Sequence, residues 1–308
     1  MNDIIVDISK MTLGTVQLGM DYGICGQTER PGKTYAFSVL DCAVESGIRT
    51  LDTANNYGVS EKVIGEWLAS RGDSRLPCVV TKIGPFDHSG PEALRADIRR
   101  QALTCLKTLG LPALDILMSH DYTDYAQNPE TVGHAFHELK DEGITRLTGI
   151  SAYSEDDYRR IAASGFDCVQ IPLNVFDWRQ IENGGVGALA QSRMKIFVRS
   201  VFLQGLIFMK PEELDPRMAF CRPYLERYQV LCRSFGLSAP ELALSFILSV
   251  PGVTSVVLGC QTVEQVRKNA ALLNSVRTLT AEEMQLLRDS FSDIDPRVVD
   301  PRKWFNHT

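Results

Sequence analysis

Short apolar runs alternate along the chain with longer segments in which apolar residues recur at helical spacing. The runs are rich in β-branched residues and lack polar alternation, which is typical of strands covered on both faces of a parallel sheet. The eight runs predicted as strands are MTLG (11–14), IRTLD (48–52), CVVTK (78–82), DILMSH (115–120), RLTGIS (146–151), CVQIPLN (168–174), KIFVRS (195–200) and SVVLG (255–259).

The segments between these runs predict helices with recognisable ends. Ser60, Ser154 and Thr262 are residue types that cap helix N-termini, and each has an acidic residue in the turn that follows. Gly110 and Gly143 stand directly after helical segments, where glycine is favoured. The predicted helices cover 33–46, 60–70, 92–109, 130–142, 155–164, 185–192, 223–249 with a break near 236–240, 262–273, and an additional helix at 280–291.

Strands that alternate with helices predict parallel pairing through right-handed crossovers, and eight such units close a (β/α)8 TIM barrel. An open doubly wound sheet is the alternative, but it would require a G-x-G-x-x-G turn after the first strand, and GTVQLG at 14–19 does not match that pattern. We therefore expect one domain over 1–308, with the barrel at about 11–274 and an extra C-terminal helix and tail over 275–308.

Charge and cysteine usage exclude several function classes. The chain has 32 Lys and Arg against 38 Asp and Glu, a net charge of −6, which disfavours nucleic acid and anionic membranes as partners. The N-terminal ten residues lack the pattern of a signal peptide, so we expect a cytoplasmic protein. The eight cysteines form no C-x-x-C pair, and His134 and His137 stand without further ligands, so no metal site is predicted.

Four polar residues stand at or just after predicted strand ends, where the active sites of such barrels lie. A tyrosine exchanges its proton usefully at neutral pH only when a cation stabilises the phenolate. Lys82 is placed to supply that charge, Asp52 to keep Lys82 protonated, and His120 to hold an oxygen beside the phenol of Tyr57. Singly, each of the four also has a purely structural interpretation. Together they contain no activated nucleophile and no electron source, so a redox reaction would need a bound hydride carrier.

Seven segments appear in the order and spacing of one family, and over 12–273 the sequence resembles the aldo-keto reductase superfamily. They are LGTVQLG (13–19), LDTANNYGVSEKVIGEWL (51–68), TKIG (81–84), LMSH (117–120), GIS (149–151), QIPLN (170–174) and VLGCQTVEQVRKN (257–269). The resemblance implies that Tyr57 is the general acid, that Lys82 and Asp52 support it, and that His120 orients the carbonyl group.

The same resemblance implies a nicotinamide cofactor extended across the barrel mouth, with NADP(H) expected over NAD(H). The helix that begins at Thr262 independently predicts a phosphate site if its N–H groups are free, and a plain capped helix is the alternative. The implied cofactor residues are Ser151, Gln170, Arg199, Ser200, Leu203, Gly205, Gly259, Gln261, Thr262, Gln265 and Asn269. The residues expected to line the substrate pocket are Val16, Tyr22, Phe86, Tyr122 and, from the tail, Trp304.

Three departures from the family pattern bear on the cofactor. Ala152 stands where an asparagine often follows Ser151, and Arg199 stands where an aromatic residue usually stacks on the nicotinamide. The positions that often carry a basic residue for the 2′-phosphate read Gly259, Gln261 and Gln265. We therefore expect only a moderate preference for NADP(H).

The leading hypothesis is a monomeric or weakly associated oxidoreductase that reduces a small carbonyl substrate, with sugars and hydroxyaldehydes as candidates. A cofactor-binding regulatory subunit with little turnover is one alternative, and a sugar or alcohol dehydrogenase that runs in the oxidative direction is another. In the tail, Trp304 and Phe305 are expected either to close over the barrel mouth or to anchor the segment on the barrel flank. We favour closure, because the tail after residue 291 is long enough to reach the mouth.

Overall fold

A computed structural model of the chain describes residues 6–23, 29–72 and 76–304. Eight strands pair in parallel, each with the next along the chain, and the last pairs with the first to close a barrel. The (β/α)8 prediction is therefore confirmed. The strands are β1 (Met11–Gly14), β2 (Thr50–Asp52), β3 (Cys78–Ile83), β4 (Leu114–Ser119), β5 (Thr145–Ser151), β6 (Cys168–Pro172), β7 (Lys195–Arg199) and β8 (Val253–Gly259).

Helices surround the barrel, and most lie where the sequence predicts them. The exceptions are three helices of four to six residues, which are too short to show a helical period: α1 (Val16–Gly19), α5 (Tyr122–Gln127) and α8 (Arg179–Glu182). The helices are α1 (Val16–Gly19), α2 (Lys33–Glu45), α3 (Ser60–Ser70), α4 (Pro91–Leu109), α5 (Tyr122–Gln127), α6 (Pro129–Asp141), α7 (Tyr158–Ala162), α8 (Arg179–Glu182), α9 (Gly185–Gln191), α10 (Arg222–Phe235), α11 (Ala239–Ser249), α12 (Val263–Ser275) and α13 (Ala281–Ser290). Short 3-10 helices cover Leu203–Phe208, Pro211–Glu213, Pro216–Cys221 and Pro301–Lys303.

The long seventh helical segment is divided in two, at the break that the sequence indicates. Gly236 ends α10 in the left-handed region, with a φ of 65°. Ser238 and Glu241 then form a capping box that starts α11. In the described part of the chain no single helix is long and apolar enough to cross a bilayer, whereas the pair 216–235 and 239–249, bent by 81°, meets those criteria only together.

Two predicted caps are wrong. The helix expected over 155–164 begins at Tyr158, because the side chain of Asp157, not that of Ser154, accepts hydrogen bonds from the first free backbone N–H groups. Ser60 does begin α3, but its hydroxyl is buried and bonds to Thr15 and Thr53 instead of capping the helix. The serine therefore joins the loops after β1 and β2.

Side chains fill the barrel interior below the carboxyl ends of the strands. A buried cluster contains Cys78 and Val80 of β3, which share a strand face with Lys82 two residues later. The other buried members of the cluster are Ile116, Met118, Cys168 and Phe197. The cavity lined by the carboxyl ends of the strands lies above this layer.

The tail after α13 is anchored against the barrel. Val298 and Val299 are buried, and Trp304 is only 1% exposed, with its Nε1–H donating to the carbonyl oxygen of Arg297 at 2.8 Å. Phe291 packs edge-on against Phe176 with ring centroids 4.8 Å apart. Phe305 lies outside the described residues. The tail is thus held by apolar contacts with the main buried cluster of the protein.

Replacing Trp304 with alanine should lower the free energy of unfolding by about 3 to 5 kcal/mol, because a fully buried aromatic side chain is lost. Lys303→Ala is the matched control: its exposed ion pair with Asp300 is worth no more than about 1 kcal/mol. Urea denaturation of both variants measures the difference. Equal stabilities of the two variants, together with an altered KM for the carbonyl substrate in Trp304→Ala, would instead support a lid.

Candidate active site

A cavity of about 440 Å³ opens at the carboxyl ends of the strands. Most of the residues that the sequence predicts for this end of the barrel line the cavity. The predicted residues that line it are Val16, Tyr22, Asp52, Tyr57, His120, Ser151, Gln170, Arg199, Ser200, Leu203, Gly205, Gly259 and Gln265. Sequence reasoning missed Gln17, Tyr153 and Phe208, which also line it. The strand-end rule could have found Gln17 and Tyr153, since Gln17 lies in α1, three residues after β1, and Tyr153 lies in the loop after β5.

A buried ion pair lies beneath the cavity floor. The Nζ atom of Lys82 donates to Asp52 Oδ1 at 2.7 Å and to the carbonyl oxygen of Thr53 at 2.9 Å. The two side chains are 0% and 5% exposed. Gln170 Nε2 donates to the same Oδ1 at 2.7 Å. Because unpaired charges are expensive to bury, these contacts fix Lys82 and Asp52 to each other and both to the ends of β2 and β3.

The ring of Tyr57 covers the ammonium group, with its centroid 5.0 Å from Lys82 Nζ. Its loop is pressed against α1 through two glycines. A Cβ atom on Gly58, whose φ is 58°, would lie 2.4 Å from the carbonyl oxygen of Gly19, and one on Gly19 would lie 1.9 Å from that of Tyr57. Val59 N–H also donates to the Gly19 oxygen at 3.1 Å. Only glycine permits this approach, which sets the height of the phenol above Lys82.

His120 completes the floor. It follows β4, and its ring lies edge-on to Tyr57 with centroids 5.6 Å apart and an interplanar angle of 76°. Burial, and then the charges of Lys82 and Arg199, lower the pKa of His120 to about 3. The neutral imidazole has one N–H donor and one acceptor nitrogen. Its buried Nδ1 has no hydrogen-bond partner within the described chain, so the ring retains capacity to bind a ligand oxygen.

Two of the three departures from the family pattern, Ala152 and Arg199, are in contact. Arg199 Nη2 donates to the carbonyl oxygen of Ala152 at 3.0 Å, and Nη1 donates to Ser200 Oγ at 3.3 Å. The guanidinium carbon lies 4.6 Å from the ring centroid of Tyr153. Arg199 therefore forms one wall of the cavity and ties the end of β7 to the loop after β5.

A second contact joins loops across the opening. Gln204 Nε2 donates to Tyr22 Oη at 3.2 Å, which links the loop after β7 to the loop after β1. Ser200, Leu203 and Gln204 all have positive φ values, of 62°, 45° and 52°. Non-glycine residues adopt this region at an energetic cost and concentrate at functional sites. Tyr22 is 40% exposed, yet desolvation at the cavity, followed by the nearby Tyr57, raises its pKa above the ordinary value, so this phenol remains protonated.

Between β1 and β8 the wall is bare backbone. A Cβ atom on Gly259 would lie 2.5 Å from Gln17 Oε1, and that oxygen is buried without a hydrogen-bond partner in the part of the chain the structure describes. The glycine leaves a concave surface with one free acceptor, which suits the close approach of a ligand that carries N–H or O–H groups. These features fit the dinucleotide that the sequence resemblance implies.

The N-terminus of α12 differs from the expectation of free N–H groups. Gln265 Oε1 accepts from the N–H groups of Gln261 and Thr262 at 2.7 and 3.2 Å, and Thr262 Oγ1 accepts from Gln265 N–H. The side chain of Gln261 donates to the carbonyl oxygen of Glu29. Asn269 Nδ2 contacts Cys260 Sγ at 3.3 Å. Gln261, Thr262 and Asn269 thus lie outside the cavity lining, and the N–H groups of Gln261, Thr262 and Gln265 are bonded within the chain.

Three residues predicted for the substrate pocket lie elsewhere. Phe86 is buried against Phe136, with ring centroids 6.3 Å apart, and Tyr122 is buried beside Tyr125 at 6.0 Å. Trp304, in the C-terminal tail, is a buried residue and does not line the cavity. The loops after β3 and β4 turn back onto the helix layer, where burial of the aromatic rings is more favourable than exposure at the mouth.

Comparison with known proteins agrees with this architecture. The sequence model of the Aldo/keto reductase family matches residues 10–290. The chain is 28% identical over 300 residues to the Bacillus subtilis (strain 168) protein named uncharacterized oxidoreductase YqkF, covering 92% of each. It is 28% identical over 302 residues to the NADH-specific methylglyoxal reductase of Escherichia coli (strain K12), covering 87% of this chain and 91% of that protein. The holo structure of an aldo-keto reductase from Bacillus halodurans superposes with a TM-score of 0.73 at 24% identity, covering 92% of both chains.

Proposed function

The chain belongs to the aldo/keto reductase family, and on that premise we propose that it reduces a small aldehyde or ketone to the alcohol with a nicotinamide cofactor. The observation that carries the proposal is the position of Tyr57, which lies over the ammonium group of Lys82 and beside the neutral ring of His120 at the cavity floor. This is a proton donor with a cation behind it and an oxygen-binding group next to it.

Each residue then has a separate task. A bound reduced nicotinamide supplies the hydride that reaches the carbonyl carbon. Tyr57 gives its hydroxyl proton to the carbonyl oxygen, and the Lys82 charge stabilises the phenolate that remains. Asp52 neutralises the buried charge of Lys82 through their ion pair. His120, neutral above about pH 3, donates its ring N–H to the same oxygen and fixes the angle of the carbonyl group.

Gln170 connects this machinery to the proposed cofactor. One N–H of its Nε2 donates to Asp52, so its second N–H and its carbonyl oxygen remain to bond to the carboxamide of a nicotinamide. The neighbouring hydroxyl of Ser151 is the second candidate contact. The positive charge of Arg199 disfavours an oxidised, cationic ring at this place, which supports reduction as the preferred direction.

We propose NADP(H) as the favoured cofactor, with weak discrimination. No lysine or arginine other than Arg199 lines the described cavity. The α12 side chain that lines the described cavity is Gln265, whose Oε1 is occupied by backbone N–H groups and whose Nε2 is a neutral donor. The relative from Escherichia coli is named as NADH-specific, which fits a family branch without a strong demand for the 2′-phosphate.

Tyr57→Phe should lower kcat for aldehyde reduction by about two to four orders of magnitude, because the proton donor is removed while the ring is kept. Tyr35→Phe, on the exposed face of α2, is the matched control and should retain turnover. The decrease in nicotinamide absorbance measures the rate. Nucleotide fluorescence titration should show nearly unchanged cofactor affinity in both variants. Near-normal turnover of Tyr57→Phe would remove this residue from the mechanism.

With one aldehyde and each reduced cofactor in turn, kcat/KM should favour NADPH over NADH by well under about a thousandfold. Neutral amide donors form bonds of about half the strength of the charge-assisted bonds that a basic 2′-phosphate pocket provides. Steady-state kinetics at matched ionic strength give the ratio. A preference of a thousandfold or more for NADPH would contradict the proposed cofactor contacts.

A further inference from the structure

Arg199 has more hydrogen-bonding capacity than its neighbours use. A guanidinium group has five N–H donors in a planar fork, and the contacts of Arg199 are a carbonyl oxygen and a hydroxyl. Across the described residues, no carboxylate forms an ion pair with it. Arg302 offers a direct comparison, since its guanidinium also lies over the Tyr153 ring, at 3.8 Å, yet is paired with Asp300 and Glu155.

The charges at the reacting end of the cavity do not cancel. Lys82 and Asp52 neutralise each other, and His120 is uncharged because its pKa is about 3. Among the described lining residues, Arg199 therefore leaves a net charge of +1 in a chain whose overall charge is −6. A partly enclosed, unpaired cation attracts an anionic ligand more strongly than the same charge on an open surface.

The side chain of Arg199 is directed toward the reacting groups. It leaves the end of β7 and bonds to Ala152, which follows β5, so it extends over the end of β6 and away from β8. Its charge lowers the pKa of His120 and opposes the rise in the pKa of Tyr22, so both cavity groups lie within its electrostatic reach. Gly259 at the end of β8 and the start of α12 lie on the opposite side of β7, beside β8 and β1.

We propose that Arg199 binds an oxyanion on the substrate, so that the preferred substrates are small aldehydes or ketones that carry a carboxylate or phosphate group near the carbonyl. This inference rests on the proposed reductase function and names its substrate class. The planar guanidinium group can donate two N–H bonds to either oxyanion. The ring of Tyr153 packs against the face of the guanidinium group and supports its orientation. Tyr22 adds a protonated phenol near the same charge.

Two matched substrate pairs test the proposal: succinic semialdehyde against butanal, and glyceraldehyde 3-phosphate against glyceraldehyde. Wild-type kcat/KM should favour the anionic member of at least one pair by about ten- to hundredfold, and which pair does so identifies the oxyanion. Arg199→Gln should bring that ratio close to one. Because both members use the same cofactor, damage to nucleotide binding cancels in the ratio.

Two further variants distinguish charge from general disruption. Arg199→Lys keeps the charge without the fork and should restore part of the anionic preference. Arg302→Gln removes the other guanidinium group that packs on the Tyr153 ring, one that is already paired with carboxylates. It should leave the ratio of kcat/KM for anionic over neutral substrate unchanged. A wild-type ratio near one for both pairs, or an unchanged ratio in Arg199→Gln, would overturn the assignment. Loss of nucleotide affinity in Arg199→Gln with an unchanged ratio would assign the arginine to the cofactor.

A measurement without turnover separates this inference from the proposed function. Butyrate should raise the melting temperature of wild-type protein more than that of Arg199→Gln, whereas its neutral isostere butyramide should affect both equally. If no aldehyde is reduced but this difference is found, the reductase proposal fails and the oxyanion site stands. If aldehydes are reduced but neither the kinetic ratio nor the melting temperature depends on Arg199, the oxyanion site fails alone.

Discussion

The buried contact between Lys82 and Asp52 is the constraint on which the proposed site depends. An ammonium group that is fully shielded from water requires a carboxylate, and the 2.7 Å bond supplies it. The pair places a permanent positive charge under Tyr57, and it engages Gln170, the proposed contact to the nicotinamide. The same charge helps to keep His120 neutral. One ion pair thus places a charge behind Tyr57, contributes to the neutrality of His120 and orients a cofactor contact.

The barrel positions this pair through backbone contacts that leave little freedom. Asp52 and Lys82 project from adjacent parallel strands whose register is fixed by the closed sheet. The loop that carries Tyr57 is held from one side by Gly19 and from the other by Asn55, whose N–H donates to the carbonyl oxygen of Lys82 at 3.0 Å. Asn55 Nδ2 also donates to Gln101 at 2.9 Å, and the Gln101 oxygen accepts in turn from the N–H of Gly84. The loops after β2 and β3 are therefore hydrogen-bonded to each other through Gln101.

Sequence reasoning located the parts of the site that strand ends determine. Asp52, Lys82 and His120 could be placed together because a parallel barrel brings all carboxyl ends to one rim. Phe86 and Tyr122 could not be placed, since the direction in which a loop turns depends on tertiary burial that composition does not encode. Thr262 shows another limit: the sequence identified the cap correctly, but the capping box engages the N–H groups of Thr262 and Gln265, which leaves fewer of them for a phosphate. The tail remained ambiguous because both a lid and an anchor bury aromatic residues.

A double-mutant cycle on Lys82 and Asp52 separates the contribution of this ion pair to folding from its contribution to proton transfer. Lys82→Met and Asp52→Leu should each lower the free energy of unfolding by about 3 to 5 kcal/mol, because each leaves a buried charge unpaired. The double variant should regain most of that loss, while its kcat for aldehyde reduction stays at least about a hundredfold below wild type. Such a result would show that the pair is maintained for proton transfer and not for the fold. A double variant that reduces aldehydes at the wild-type rate would contradict the account.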